Sequence, residues 1–410
     1  MDFNFVAFFF NPLVLLFLTM TLGNLFGELK IGKFKFGITG TLFVGLVIGY
    51  FLTQYAAGVP KESRYFASAM AVMQGKVIPG PLMNLALLVF IVGTGLLAAS
   101  DMKYALTKFG KQFVILAIFI PFVGAVASYG SSQLLQDMSP FQMTGTYTGA
   151  LTSSTGLAAA TESSDSEARR LGMEFGSQPE SARKKIIAII NSARVRDAKL
   201  RHESAPAPLT LEGTQSLSQE DVEVFVTEAK AGVGVGHSIG YPFGVLFLIL
   251  AINLIPKIFG LDVEDEKKRY FAQKALDIKN DASLVTEKHQ EVAMDFIGFS
   301  LAAFLGYVVG SIRIYMGPLG WFSLGATGGA ILVALALGAL GQLGPIHFRM
   351  NSTVLGKMRT YFLSVFLAGT GLNYGFRVVD AVTGDGYMVA IISALVALIS
   401  ILAGFLLGHY

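Results

Sequence analysis

Gly386-Tyr-Met-Val-Ala-Ile-Ile-Ser-Ala-Leu-Val-Ala-Leu-Ile-Ser-Ile-Leu-Ala-Gly-Phe-Leu-Leu-Gly-His-Tyr410 runs for 25 residues without one Asp, Glu, Lys or Arg. A helix needs about 20 apolar residues to cross a bilayer, and a charge at mid-membrane costs several kcal/mol, so such a stretch predicts a transmembrane helix. Nine further charge-free stretches precede it, at 3–27, 36–60, 77–100, 112–136, 138–161, 231–256, 296–312, 314–348 and 360–376. The two shortest require Arg313, Arg359 or Arg377 to snorkel to the headgroups. The 314–348 stretch is bounded by Gly317-Pro318-Leu319-Gly320 and Gly344-Pro345, which leaves one span near 321–343. The chain is 53% hydrophobic and only 14% charged, against about a quarter charged in soluble domains, so its apolar surface must face lipid. The reading is an all-α membrane protein of about ten transmembrane segments.

The same composition excludes other classes. A net charge of +3 gives no nucleic-acid signature, and zero cysteines remove disulfides and thiolate chemistry. The sequence offers no metal-ligand cluster, no cofactor motif, no Ser/His/Asp arrangement and no intramembrane Asp pair, so no enzymatic role is expected. No carboxylate lies in the middle of a span, which argues against a sodium–proton antiporter. The N-terminus lacks a signal-peptide pattern, so the first stretch is expected to remain as a helix. His237 and His347 fall near span ends, where solvated histidines are expected. Phe8–Phe10, Tyr50 and Tyr241 read as interfacial or lipid-facing.

Two segments are rich in charge. Within 162–230, Pro206-Ala-Pro208 reads as an extended linker between two helices. The first carries Ile186, Ile187 and Ile190 opposite a basic face; the second opens on a Ser218/Asp221 capping box. Residues 257–294 form another helix-prone charged segment. Both read as solvated or membrane-surface connectors, with too few apolar residues for a core of their own.

The two ends of the chain resemble each other. Gly27-Glu-Leu-Lys-Ile31, ending at Gly37, parallels Gly310-Ser-Ile-Arg-Ile314, ending at Gly320. Gly37-Ile-Thr39-Gly40 parallels Gly325-Ala-Thr327-Gly328. Gly93-Thr94-Gly95-Leu96 and Gly369-Thr370-Gly371-Leu372 sit late in equivalent spans. Three matches in one order predict two structural repeats, an architecture in which transporters place the substrate site on interrupted helices. The Gly-Thr-Gly pairs read equally well as hinges of broken helices or as packing sites. Isolated pairs such as Gly45/Gly49, Gly306/Gly310 and Gly404/Gly408 read as packing.

Thr144-Gly-Thr-Tyr-Thr-Gly149-Ala-Leu-Thr152-Ser153-Ser154-Thr155-Gly156-Leu-Ala-Ala-Ala160 is barely hydrophobic enough to insert. Packing needs small residues but not four consecutive hydroxyls, so this segment is expected to unwind at mid-membrane, with Gly149 and Gly156 permitting the break. Freed backbone groups there would meet substrate, since unwound backbone is tolerated at that depth only when buried or lining a wet cavity.

Gly149–Ala160, together with Gly240-Tyr-Pro-Phe-Gly-Val245 and the span end 93–111 with Lys103, Lys108 and Gly110, resembles the signature of bacterial aspartate–alanine exchanger transporters. The resemblance covers most of the hydrophobic chain. It implies secondary active exchange of small amino acids or carboxylates, in a fold similar to the cation–proton antiporter and anion transporter superfamily. Also implied are a mobile core of crossing broken helices, a multi-pass location in the bacterial inner membrane, and a dimer. The expected substrate-binding residues are Gly149, Thr152, Ser153, Ser154, Thr155 and Gly156, with Gly93, Thr94, Gly95, Gly369, Thr370 and Gly371 from the paired motifs. The chain departs from the family in three ways. Thr155-Gly156 replaces the proline after the Thr-Ser pair; only 257–294 stands where paired soluble domains are usual; and no second Thr-Ser segment follows the second repeat. The expected organisation is a first transmembrane repeat at 1–161, a connector at 162–236, a transmembrane helix at 237–256, a connector at 257–294 and a second repeat at 295–410 lacking its final segments. A partner chain supplying those segments, in a hetero-oligomer, is one expectation; a non-transporting membrane subunit is the alternative to an exchanger.

Overall fold

The computed structural model describes residues 9–31, 34–134, 138–201, 203–260, 262–280, 292–315, 321–383 and 386–409. The chain divides into two compact units, one of Met1–Asn84, Ser128–Pro242 and Ser364–Ser393, the other of Leu85–Ala127, Phe243–Leu363 and Ala394–Tyr410. The structure is helical apart from three short hairpins among the described residues. Among the described residues, five helical spans are long and apolar enough to cross a membrane: Gly37–Ala57, Gly80–Ala99, Thr107–Gln133, Ser352–Asp380 and Gly386–Gly408. Pro12–Gly27, Phe296–Ser311 and Gly325–Leu340 are shorter apolar helices.

The first unit opens with α1 (Pro12–Gly27), capped by the Asn11 side chain, which accepts from the Leu13 and Val14 amides at 2.9 and 3.4 Å. A hairpin of β1 (Lys30–Ile31) and β2 (Phe34–Lys35) leads through a 3-10 turn to α2 (Gly40–Ala57). The two helices approach at backbone distance. A Cβ on Gly27 would lie 2.0 Å from the Gly37 oxygen, and one on Gly40 would lie 2.3 Å from the Gly23 oxygen. After α3 (Phe66–Met73) comes the long α4 (Gly80–Leu134), whose 80–84 and 128–134 ends belong to this unit. The stretches expected as separate spans at 77–100 and 112–136 are joined, residues 80–134 forming one helix through the charged 101–111.

Next come α5 (Pro140–Ala150), α6 (Ser154–Met173), α7 (Glu180–Leu200) and α8 (Gln219–Ile258). Ser218 caps α8 as expected, its Oγ accepting from the Asp221 amide at 3.1 Å. The expectation that 162–230 lacks a core is corrected. Ala168, Phe175, Ile186, Ile187, Ile190, Val222, Phe225, Val226 and Ala229 are buried together, each large side chain contributing about 1.5–3 kcal/mol. The apolar residues of α6, α7 and α8 are too sparse on any one helix to signal a core, and only their convergence makes one. Arg377 is corrected as well. Instead of snorkelling it is 9% exposed, with Nη2 2.9 Å from the Glu228 carboxylate, which Arg196 also holds at 2.8 Å. Arg377 lies near the end of α12 (Ser352–Thr383), whose 364–383 portion completes this unit with the start of α13 (Gly386–His409).

The second unit contains residues 85–127 of α4, the 243–258 end of α8, and α9 (Val263–Asn280). Lys108 pairs with Asp277 at 3.2 Å. Asp295 caps α10 (Phe296–Ser311), accepting from the Gly298 amide at 2.9 Å and from the His347 amide at 2.8 Å. A hairpin of β3 (Arg313–Tyr315) and β4 (Trp321–Ser323) leads into α11 (Gly325–Leu340), so the span expected near 321–343 begins later and ends earlier. Gly317–Gly320, Phe8 and Tyr410 lie outside the described residues. The α10–α11 approach reproduces that of α1–α2: a Cβ on Gly310 would lie 2.0 Å from the Gly325 oxygen, and one on Gly329 would lie 2.2 Å from the Gly306 oxygen. Gly329, not Gly328, therefore takes the place that Gly40 holds in the first unit.

Candidate functional site

The hydroxyl-rich segment contains a helix break held open by its own backbone. At the end of α5 the Thr152 amide donates to the Gly149 oxygen at 2.9 Å, and the Ser153 amide donates to the Thr148 oxygen at 2.9 Å. This pair of bonds is a Schellman closure, which places one residue in the left-handed region, usually glycine. Here that residue is Thr152, at φ +51, the one non-glycine residue with positive φ among the described residues. A β-branched side chain in this conformation costs about 1–2 kcal/mol, so the break stores strain. Ser153 then serves as the N-cap of α6: its Oγ accepts from the Gly156 amide at 2.9 Å and lies 3.3 Å from Thr155 Oγ1. The negative end of α5 and the positive end of α6 thus meet within three residues, 151–153, and the amides that open α6 favour an anion.

The expected role of the two glycines is corrected, because the break falls on Thr152 and not on Gly149 or Gly156. Gly149 brings α5 onto α8; a Cβ there would lie 2.7 Å from the His237 oxygen and 2.9 Å from the Tyr241 amide. Gly145 and Gly236 continue the seam, with would-be Cβ atoms 2.0 Å from the Val233 and Gln142 oxygens. Gly156 leaves room for its cap, since a Cβ would sit 2.7 Å from Ser153 Oγ.

Neither Gly-Thr-Gly motif breaks its helix. Gly93–Gly95 lies within α4 and Gly369–Gly371 within α12, and Thr94 and Thr370 each donate to the carbonyl four residues earlier at 2.8 Å. In the first unit Gly371 meets Gly45 of α2, and Gly49 meets Leu372. In the second, Gly95 meets Ala334 of α11, and Gly338 meets Ala99 and Leu96. These glycines act in close packing, as Gly45/Gly49 and Gly306/Gly310 also do. Of the expected site residues, the structure gathers 149–156 at one break and sets the two triplets in intact helices.

Sequence reasoning missed His237. It is 1% exposed rather than solvated, with Nδ1 3.0 Å from Thr148 Oγ1 and its ring beside Tyr241. Its signal in the sequence was available: an ionisable residue inside the charge-free stretch 231–256. Tyr241, expected at the lipid interface, engages the Thr39 hydroxyl. Phe10 is buried, and Tyr50 stacks on Phe376. His347 lies 3.6 Å from the Asp295 carboxylate.

Outside the spans, charge organises the connector helices. Burial opposes ionisation of Glu228, yet Arg377 and Arg196 hold its carboxyl below the ordinary carboxylate range. Burial likewise opposes the Arg196 charge, which Glu228 and Asp197 more than restore. Cavities of about 510 and 470 Å³ in this unit are both lined by Glu228 and Arg377. No group of three or more metal-ligating side chains occurs among the described residues.

A family model described as a predicted permease membrane region, that of the aspartate–alanine exchangers, matches residues 15–257 and 298–410. The chain belongs to this family. The gap in the match falls on the charged connector that holds α9. An uncharacterized transporter of Bacteroides thetaiotaomicron is 23% identical over 96% of this chain and 86% of its own length. One of Bacteroides fragilis is 24% identical over the same shares. Both alignments, of 481 and 486 positions, exceed the 410 residues of this chain, so those relatives carry segments it lacks. An uncharacterized transporter of Rhodopirellula baltica is 34% identical over 28% of this chain, a match spanning 22% of that relative's length. No solved structure matches the chain. Family membership and several membrane-crossing helices make this a multi-pass membrane protein of a transporter family.

Proposed function

We propose that this protein is a secondary active exchanger of small amino acids or carboxylates, such as aspartate and alanine, working in the bacterial inner membrane. The observation that carries the reading is the strained break at 151–153, where a helix N-terminus meets the run of four hydroxyl-bearing residues, Thr152–Thr155. On this reading the substrate carboxylate docks on the amides of Ser154, Thr155 and Gly156, with Thr152, Ser153 and Thr155 supplying hydroxyls. The positive end of α6 favours that anion, and the negative end of α5 favours an ammonium group.

A duplicated architecture accords with this reading. The α1–α2 and α10–α11 hairpins share their glycine contacts, and each packs on the Gly-Thr-Gly helix of the opposite half of the sequence. Assembly as a homodimer, or with a partner chain, belongs to the same proposal. Reconstitution of the purified chain into proteoliposomes tests it. Counterflow of L-aspartate or L-alanine in wild type, reduced severalfold in Ser153→Ala, is the expected outcome. Wild-type vesicles that exchange neither amino acid would instead support a non-transporting subunit.

A further inference from the structure

His237 is the one histidine lying in the α5–α8 seam, and Thr148 is its hydrogen-bond partner there. The single Thr148 hydroxyl proton goes to the Gly145 oxygen at 2.9 Å. With the proton so placed, Thr148 Oγ1 accepts from His237 Nδ1, 3.0 Å away, and we infer that the neutral ring carries its proton on Nδ1. Nε2 is left as a bare lone pair. It is fully buried with no hydrogen-bond partner among the described residues, an arrangement that costs about 1–3 kcal/mol and calls for an explanation.

We propose that His237 is a proton-binding site, taking a proton on Nε2 and passing its charge state to the broken helix through Thr148. A proton is the ligand that fits, because it needs no cavity and completes the one free valence. Full burial opposes an imidazolium here, and one feature of the surroundings offsets it. The last turn of α5, with its negative dipole end, meets the ring at Thr148 and the His237 backbone at Gly149. The titratable group beside it is Tyr241 on α8, and no charged side chain among the described residues interacts with it. From the third element of the seam, α13 sends Ser393, whose Oγ lies against Gly240 and also has no partner among the described residues.

Thr148 links His237 and the break through hydrogen bonds on either side. Thr148 carries both the hydroxyl that accepts from His237 and the carbonyl that accepts from the Ser153 amide to close the break. Solvent supplies the proton, Nε2 gains an N–H bond, and the ring becomes a cation that favours conformations in which Nε2 reaches water or an acceptor. The break at 151–153 then opens or closes with the proton. The inference uses the break but not the identity of the substrate.

Histidine-labelled full-length protein in nanodiscs tests it by NMR, with the His237 signal recognised by its loss in His237→Gln. Expected are an Nδ1–H neutral tautomer and one protonation step as pH is lowered from about 8 to about 4, a range carried below that of free histidine because the ring is buried. Amide hydrogen exchange at 152–157 should follow the same step in wild type and Thr148→Ser, and lose it in His237→Gln and Thr148→Val. L-Aspartate or L-alanine counterflow should change about fivefold or more across that range, the low end of coupling between sites, and become flat in His237→Gln. A His237 that stays neutral throughout, a neutral tautomer protonated on Nε2, or an exchange step retained in His237→Gln would overturn the proposal. If neither amino acid moves in wild type, the exchanger reading fails while titration and amide exchange still decide the proton site.

Discussion

Replacing Thr152 by glycine should make the protein more stable and a poorer transporter at once. Thr152 sits at φ +51 within the closure formed by the Thr152–Gly149 and Ser153–Thr148 bonds. An L-residue in that region costs about 1–2 kcal/mol, with a β-branched residue at the upper end. Glycine removes the cost but loses about 0.5–1 kcal/mol more chain entropy on folding, leaving a net gain of about 1–1.5 kcal/mol. Alanine keeps a Cβ and should gain little; asparagine, which tolerates the conformation, should fall between. Reversible unfolding in mixed detergent micelles gives the stability order, and counterflow in proteoliposomes gives the activity of the same preparations. Opposite movement of the two readouts is the signature of strain retained for function. A Thr152→Gly variant destabilised by about 1 kcal/mol or more, or one indistinguishable from Thr152→Ala, would refute the argument, since glycine's entropy would then be the only term acting.

Other substitutions read other links. Ser153→Ala removes the α6 cap and should cost about 1 kcal/mol, whereas Ser153→Asp keeps an acceptor for the Gly156 amide but repels a carboxylate, so it should fold while losing exchange. Gly236→Ala puts a Cβ 2.0 Å from the Gln142 oxygen and should abolish the monodisperse peak in size-exclusion chromatography; Gly80→Ala, with open space around it, should leave that peak unchanged. Arg377→Ala leaves Glu228 with one arginine in a buried setting and should cost about 3 kcal/mol, measured by the same micelle unfolding. Glu228 is held below its ordinary 4.5, so its contribution is complete above that value and is lost as pH falls through the lower folded-state value. Glu228→Gln should flatten the acid limb of the stability–pH curve.

The membrane class was legible in the sequence because spanning a bilayer is a local requirement. Each charge-free stretch either meets the length and polarity that lipid imposes or does not, and residues 386–410 meet them without reference to any other part of the chain. The broken helix was legible for a similar reason: four successive hydroxyl residues weaken a helix locally, whatever packs on it. The Ser218 cap and the extended Pro206–Pro208 linker were equally local.

What the sequence could not decide depended on partners distant along the chain. Whether the break falls on glycine or threonine is set by where α8 presses against Gly145 and Gly149, which uses those glycines for packing and leaves Thr152 to take the turn. The Gly-Thr-Gly triplets look like hinges in isolation, and only Gly45 and Ala334 lying against them shows that they are contact points in unbroken helices. His237 and Arg377 read as residues of span ends near solvent, but their burial comes from Thr148 and Glu228, 89 and 149 positions away. Local composition thus determined that the chain enters the membrane and where one helix breaks. The tertiary structure decided which side chains share that break, because burial and hydrogen bonding belong to pairs of residues and not to single positions.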